Sequence, residues 1–161
     1  MAVWQFELQA FPANLAEIGG VPAIHLTPKM REQASLAFSL EQRRGLVRAL
    51  DDLLPRHQAW STGVMVWGNT RATDVQLYVD DDGSAELHVR IDARSFGTEL
   101  VEALCDIVRD LDLAFVTEDG AVLMPRSETV LRALASSKAH RFSEDPEGIF
   151  DEAARQIYRP A

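Results

Sequence analysis

Residues 74 to 94 contain two runs in which apolar and polar side chains alternate, as in β-strands with one buried face. The acidic turn Asp80-Asp81-Asp82-Gly83 separates the runs. A two-residue loop would place Val79 opposite Glu86, on the wrong side of the sheet, whereas a three-residue loop pairs Val79 with Ala85. The pattern therefore predicts a β-hairpin with the loop Asp81-Asp82-Gly83 and with Gly83 in the left-handed conformation. Its inward-facing residues are Val75, Leu77, Val79, Ala85, Leu87, Val89 and Ile91.

The other side of this predicted hairpin carries charged and hydrogen-bonding side chains, and we expect it to face water. The predicted register places Asp74 opposite Arg90 as a cross-strand ion pair. An exposed pair contributes at most about 1 kcal/mol, so stability alone does not account for a polar cluster of this size. The face is therefore either a solvated outer surface of the sheet or a candidate binding surface, formed by Asp74, Gln76, Tyr78, Glu86, His88, Arg90 and Asp92.

The rest of the chain carries further periodic patterns. Residues 3 to 10 alternate like a half-buried strand, with Gln5, Glu7 and Gln9 on the polar side. Ser39 and Gln42 have the spacing of a capping box, which predicts a helix that Pro55 stops. Other patterns predict strands at 23–26 and 64–67, a helix after Ser95, a hairpin at 113–124 that is apolar on both faces, a helix carrying Val130 and Leu134, and a last helix with Phe150, Ala153 and Ile157.

Residues 27 to 38 leave two alternatives open, because Pro28 can start a helical turn and Leu36-Ala37-Phe38 can be extended. Taken together, the elements predict a single α+β domain over residues 1 to 161. Its core is an antiparallel sheet of about five or six strands with helices mainly on one face. A chain of 161 residues can bury roughly 70% of its surface without a disulfide or a metal. The lone cysteine, Cys105, falls inside a predicted helix and is interpreted as a core thiol.

Charge narrows the classes of partner. The formal net charge is −9, and an acidic surface repels phosphate backbones and anionic lipids. We therefore expect neither a nucleic-acid nor a membrane partner. The acidity either serves solubility alone or attracts a basic protein as partner. The chain begins Met-Ala-Val-Trp-Gln, without a basic region followed by an apolar stretch, and this predicts a cytoplasmic protein.

His88 is the main candidate for catalysis. Alternation places it beside Glu86 and Arg90, with Asp92 further along the strand, and a histidine flanked by carboxylates can act as a general base. The simpler interpretation is a surface residue of a strand. The acidic turn lacks the first and last ligands of a calcium loop, and the four histidines have no metal-binding spacing. No motif for a phosphate, a dinucleotide or another cofactor is present, so we expect no cofactor and no metal.

A series of short segments carries a resemblance to known proteins. These are Trp67-Gly68, then the hairpin with the polar turn, then Arg90-Ile91-Asp92-Ala93-Arg94, and finally Ser137-Lys138-Ala139-His140-Arg141-Phe142 with Asp145-Pro146. Over roughly residues 65 to 150 they resemble small bacterial proteins of uncharacterised function, some of which are of the immunity type that neutralises polymorphic toxins. The resemblance implies a protein-binding role and carries no catalytic residues.

Three hypotheses follow. The first is a non-enzymatic binding module, of the immunity type, whose acidic surface and polar hairpin face meet a basic protein. The second is a small hydrolase or transferase that uses His88 with Asp92 or Glu86 in a cleft beside Trp67. The third is a structural homo-oligomer that pairs strand edges or helix faces.

Overall fold

The structure, a computed structural model, describes residues 2–18, 21–32, 36–59 and 61–148. Its strands are β1 (Gln5–Pro12), β2 (Glu17–Ile18), β3 (Val21–Pro22), β4 (Leu36–Ala37), β5 (Arg56–His57), β6 (Val64–Gly68), β7 (Asp74–Val79), β8 (Ser84–Asp92), β9 (Leu113–Thr117) and β10 (Val122–Leu123). Its helices are α1 (Pro28–Glu32), α2 (Leu40–Leu53), α3 (Thr98–Asp110), α4 (Ser127–Ala135) and α5 (Lys138–Glu144), with a 3-10 turn at Ala13–Ala16.

One antiparallel sheet organises the chain. Seven strands pair in the order β10-β9-β1-β8-β7-β6-β5, and β4 pairs with the first residues of β8. The predicted α+β class is confirmed, but the sheet has more strands than the predicted five or six. The strand of this sheet without a predicted counterpart is β5, which has two residues, and alternation cannot reveal a strand of that length. The predicted strand at 23–26 is wrong, because within the described residues it forms a single bridge between His25 and Ala121.

The β7–β8 hairpin has the predicted register. Val79 pairs with Ala85, Leu77 with Leu87 and Val75 with Val89. The Asp80 N–H donates to the Ser84 carbonyl at 2.9 Å, which leaves a three-residue loop, and Gly83 has a φ of 86°. Parity and the position of one glycine were therefore sufficient to fix this hairpin.

The main core lies between one face of the sheet and helices α2 to α5. Leu46 and Leu50 of α2, Leu104 of α3 and Leu134 of α4 are buried against the inward-facing residues of β1, β6, β7, β8 and β9. The capping box predicted for α2 forms, with reciprocal bonds between Ser39 and Gln42. Cys105 belongs to this core, and burial raises the pKa of its thiol to about 11.

A smaller core covers one end of the opposite face. Phe11 of β1 and Val116 of β9 are buried there with Ala23 and Leu26, and Met30 of α1 packs against them. This cover explains why the hairpin formed by β9 and β10 is apolar on both faces. Residues 27 to 38 satisfy both alternatives, since α1 begins at Pro28 and Leu36–Ala37 forms β4. Phe150, Ala153 and Ile157 of the predicted last helix lie outside the described residues.

Candidate functional site

The remaining part of this second face, on β1, β8, β7 and β6, is called the polar face below. The register puts Asp74 opposite Arg90, Gln76 opposite His88 and Tyr78 opposite Glu86. Strand β1 lies on the other side of β8 and adds Gln5 and Glu7 to the same face. The structure therefore brings the predicted residues of β7 and β8 together and extends the group onto a third strand.

Asp74 and Arg90 form a buried, two-pronged ion pair. The Arg90 Nε and Nη2 atoms donate to the two Asp74 carboxylate oxygens at 2.8 and 2.6 Å. The Asp74 side chain is 0% exposed and that of Arg90 is 15% exposed. A pair of this kind has lost its water, so removing one partner leaves an uncompensated charge inside the protein.

Two glutamines complete the shell around Asp74. The Gln76 amide donates to one carboxylate oxygen at 2.7 Å, and the Gln5 amide lies 3.4 Å from the other. Gln5 also donates to the carbonyl of Ala72, and the Tyr78 hydroxyl donates to the Gln76 side-chain oxygen. Gln5 was not among the predicted site residues. The alternation of β1 placed it on the polar side, but no pattern in the sequence indicates that β1 pairs with β8.

Asp92 belongs to a different pair. The Arg94 Nε and Nη2 atoms donate to its carboxylate at 2.9 and 2.7 Å, and these bonds lower the pKa of Asp92. Arg94 also lies over the ring of Trp4, 4.3 Å from the ring centre. The second hypothesis offered Asp92 as a partner for His88, but the structure pairs it with Arg94.

The expectation that the whole polar face is open to water is wrong for Asp74, Gln76 and Asp92, which are buried. The chain between β6 and β7 folds back over this end of the sheet. Its Thr73 hydroxyl accepts from the Asp92 N–H, and its Thr70 and Ala72 carbonyls accept from the Gln5 amide. Alternation identified the face of each side chain, but it could not show that a connecting turn covers that face.

His88 is held between two carboxylates. Its Nδ1 atom lies 3.3 Å from Glu7 and its Nε2 atom 3.1 Å from Glu86, and the edge of the Tyr78 ring packs against it. Burial by itself lowers the pKa of His88, but the hydrogen bonds and charges of the two glutamates outweigh it, so the pKa is raised above 6.5. The same hydrogen bond lowers the pKa of Glu7 below 4.5.

We expect the contacts of His88 with Glu7 and Glu86 to make the free energy of unfolding depend on pH. The pKa of His88 is higher in the folded protein than in the unfolded chain, where it is about 6.5, so protonated His88 stabilises the fold. This stabilisation is complete below about pH 6.5 and is lost as the pH rises through the pKa of the folded protein. The lowered pKa of Glu7 adds stability above about 4.5 that is lost under acid. The change His88→Gln should therefore cost more at pH 6 than at pH 9, by about 1 kcal/mol. Urea unfolding of both proteins at the two pH values would measure the difference.

NMR titration provides the control for this expectation. The His88 ring resonances should titrate above 6.5 in the wild-type protein, and Glu7→Gln should move that midpoint down. An equal cost of His88→Gln at both pH values would contradict the linkage.

A pocket of about 600 Å³ opens on the polar face beside β6 and the turn that follows it. On this face, the cross-strand rows from Asp74 and Gln76 continue into smaller residues of β6, because Gly68 lies beside Asp74 and Val66 beside Gln76. Gly68 and Val66 therefore form the floor of the pocket, and longer side chains surround it. The pocket is lined by Ala2, His57, Gln58, Val66, Gly68, Asn69, Thr70, Gln76, Tyr78 and Arg90.

Trp67 does not contribute to this pocket. It is fully buried on the opposite face, where its indole N–H donates to Asp51 at 2.7 Å. The predicted cleft that joins Trp67 to His88 is therefore wrong. Successive residues of a strand point to opposite sides of the sheet, so Val66 shares the face of His88 and Trp67 points into the core.

The chain matches no protein-family model, no curated protein and no solved structure. The resemblance to immunity-type proteins, the homo-oligomer and the cytoplasmic location therefore stay predictions. Within the described ranges, no helix combines the length and the hydrophobicity needed to cross a bilayer. The same ranges contain no group of three or more histidine, cysteine, aspartate or glutamate side chains suited to hold a metal ion.

Proposed function

We propose that this protein is a non-enzymatic binding module for a basic protein, of the kind that an immunity-type inhibitor neutralises. The supporting observation is a group of carboxylates around His88 that stays in contact with water. Glu86 is 58% exposed, Glu7 is partly exposed, and the turn Asp80–Asp82 next to them is exposed. We call Glu7, Glu86 and Asp80–Asp82 the acidic patch.

The acidic patch is held in place before any partner arrives. His88 bonds to both glutamates, and hydrogen bonds between the side chains of Asp80 and Ser84 and from the Ser84 N–H to Asp82 fix the turn. Binding groups that are already ordered lose less conformational entropy on association. The net charge of −9 adds long-range attraction for a basic partner.

The arrangement of His88 favours binding over catalysis. A general base needs a ring nitrogen that can reach a substrate proton, and here each nitrogen faces a carboxylate. His88 is also not among the residues that line the pocket. These contacts support a role in orienting Glu7 and Glu86.

The test starts with capture of a partner from native lysate on the immobilised protein, followed by association kinetics with the purified partner. We expect association to slow as salt is added. Neutralising the patch with Glu86→Gln and Asp81→Asn should lower the association rate about three- to tenfold at low salt.

The matched control is the pair Asp52→Asn and Glu102→Gln. These exposed residues of α2 and α3 carry the same charge, so the control removes as much net charge at positions away from the polar face. An equal loss of rate in both double variants would show that net charge alone matters, and that the acidic patch is not the contact. Recovery of no basic protein across the salt range would count against the proposed function as a whole.

A further inference from the structure

We propose that the pocket between β6, β7 and β8 is a binding site for a small carboxylate ligand, held by Arg90. This site adjoins the acidic patch, because Glu7 lies opposite Arg90 in the β1–β8 register, but it does not depend on the proposed protein partner. Its volume of about 600 Å³ falls within the range of small-molecule sites in proteins.

The geometry of the Arg90 guanidinium carries the proposal. A guanidinium has five N–H groups in a fixed plane, and Asp74 takes one from Nε and one from Nη2. The remaining N–H groups are on Nη1 and Nη2, and one from each forms a second parallel fork at the tip. A carboxylate is the group that fits such a fork with two hydrogen bonds. Arg90 lines the pocket, and we infer that this fork is the part of its side chain that a ligand there contacts.

Asp74 keeps the Arg90 side chain in a single position. A buried ion pair is seldom more stable than well-packed apolar residues of the same size, so stability does not explain why one lies under a cavity. An arginine fixed by a buried aspartate, with Gln76 bracing that aspartate, is a preorganised donor. Holding the arginine before the ligand arrives reduces the entropy lost on binding.

The other residues that line the pocket determine which class of carboxylate ligand fits it. Val66 and Gly68 form an apolar floor, and Tyr78 contributes an aromatic ring at one side. A flat apolar body can rest on this floor with its carboxylate toward Arg90. We therefore expect a small aromatic or planar monocarboxylate.

Benzoate is the probe, and benzamide is its uncharged counterpart of nearly the same shape. We expect benzoate to shift the Arg90 side-chain N–H resonance and the backbone resonances of Asn69 and Thr70, with a dissociation constant of about 1 mM. Benzamide should bind at least about tenfold more weakly, because it cannot accept both hydrogen bonds of a charged fork. No shift up to about 20 mM benzoate, or equal binding of the two probes, would overturn the proposal.

Two variants locate the binding. Arg90→Lys keeps the charge but removes the planar fork, so benzoate affinity should fall about tenfold or more. Thr70→Trp changes an exposed residue that lines the pocket and has no side-chain contact with the ion pair, so it should abolish binding even if Arg90→Lys fails to fold. Binding that survives Thr70→Trp would contradict the assignment.

Glu86→Gln separates this proposal from the proposed function. Because Glu86 lies in the acidic patch and does not line the pocket, benzoate should bind this variant as it binds the wild type. If the wild-type protein captures its partner but does not bind benzoate, the pocket proposal alone has failed.

Discussion

Replacing Asp74 with alanine is expected to lower the free energy of unfolding by about 3 to 5 kcal/mol, a large part of the stability of an ordinary domain. The carboxylate accepts from Arg90 at 2.8 and 2.6 Å and from Gln76 at 2.7 Å, and it has no exposed surface. Without it, the Arg90 charge loses the carboxylate that compensates it, and its side chain, 15% exposed, meets water only through the pocket. Urea unfolding followed by circular dichroism would measure the loss.

Glu128→Ala is the matched control for Asp74→Ala. Glu128 and Arg132 form an ion pair with the same 2.6 Å separation, but their side chains are 82% and 74% exposed. Losing this pair should cost less than about 1 kcal/mol, since water replaces the missing partner. If Asp74→Ala cost no more than Glu128→Ala, burial would not be what gives the Asp74 pair its effect.

The second large effect is expected for Gly68→Ala, with a loss of about 3 kcal/mol. Gly68 has a φ of 83°, which disfavours any residue with a Cβ. In addition, a Cβ there would lie 2.5 Å from the Thr73 carbonyl oxygen and 3.1 Å from the Asp74 Cα. Both are backbone atoms, so the start of β7 would have to move, and Asp74 would move with it.

Gly83→Ala separates the two costs of Gly68→Ala. Gly83 has a similar φ of 86°, but no atom lies within 4 Å of the position that its Cβ would take. This variant should lose about 1 kcal/mol, from the left-handed conformation alone. The difference between the two variants in chemical unfolding then measures the close approach of β6 and β7. Equal losses would mean that the backbone near Gly68 adjusts at little cost.

These two predictions concern the same few residues that define the pocket. Gly68 allows the start of β7 to lie close to β6, and Asp74, the first residue of β7, fixes Arg90. The same close approach leaves the floor of the pocket low. The stability of this corner and the proposed carboxylate site therefore depend on one local arrangement.

Sequence reasoning was most successful where the contacts are local. The β7–β8 hairpin, its loop and the Asp74–Arg90 pairing followed from alternation and from Gly83, because a short loop leaves few registers and a shift of one residue would turn every apolar side chain outward. The capping box of α2 depends on residues three apart, and it formed as predicted. The α+β class followed from the same periodicities.

The environment of the polar face could be read only from the tertiary structure. Alternation placed Asp74, Gln76 and Asp92 on the polar side and therefore predicted contact with water, yet all three are buried. Gln5, which is distant in sequence, arrives on β1, and the turn at 69–73, which adjoins β7, folds back over the strands. The position of Trp67, the contact of His88 with Glu7 and the pocket also depend on the tertiary structure, whereas alternation had already placed Glu86 beside His88.

The sequence by itself determined the faces of the strands, one hairpin with its ion pair, and the class of the fold. These depend on backbone periodicity and on steric rules that act over a few residues. Only the tertiary structure decided that this ion pair is buried, that His88 is held by Glu7 and Glu86, and that a pocket lies beside Arg90. The physical reason is that burial and desolvation depend on which distant segments pack together, and no local pattern in the chain records that choice.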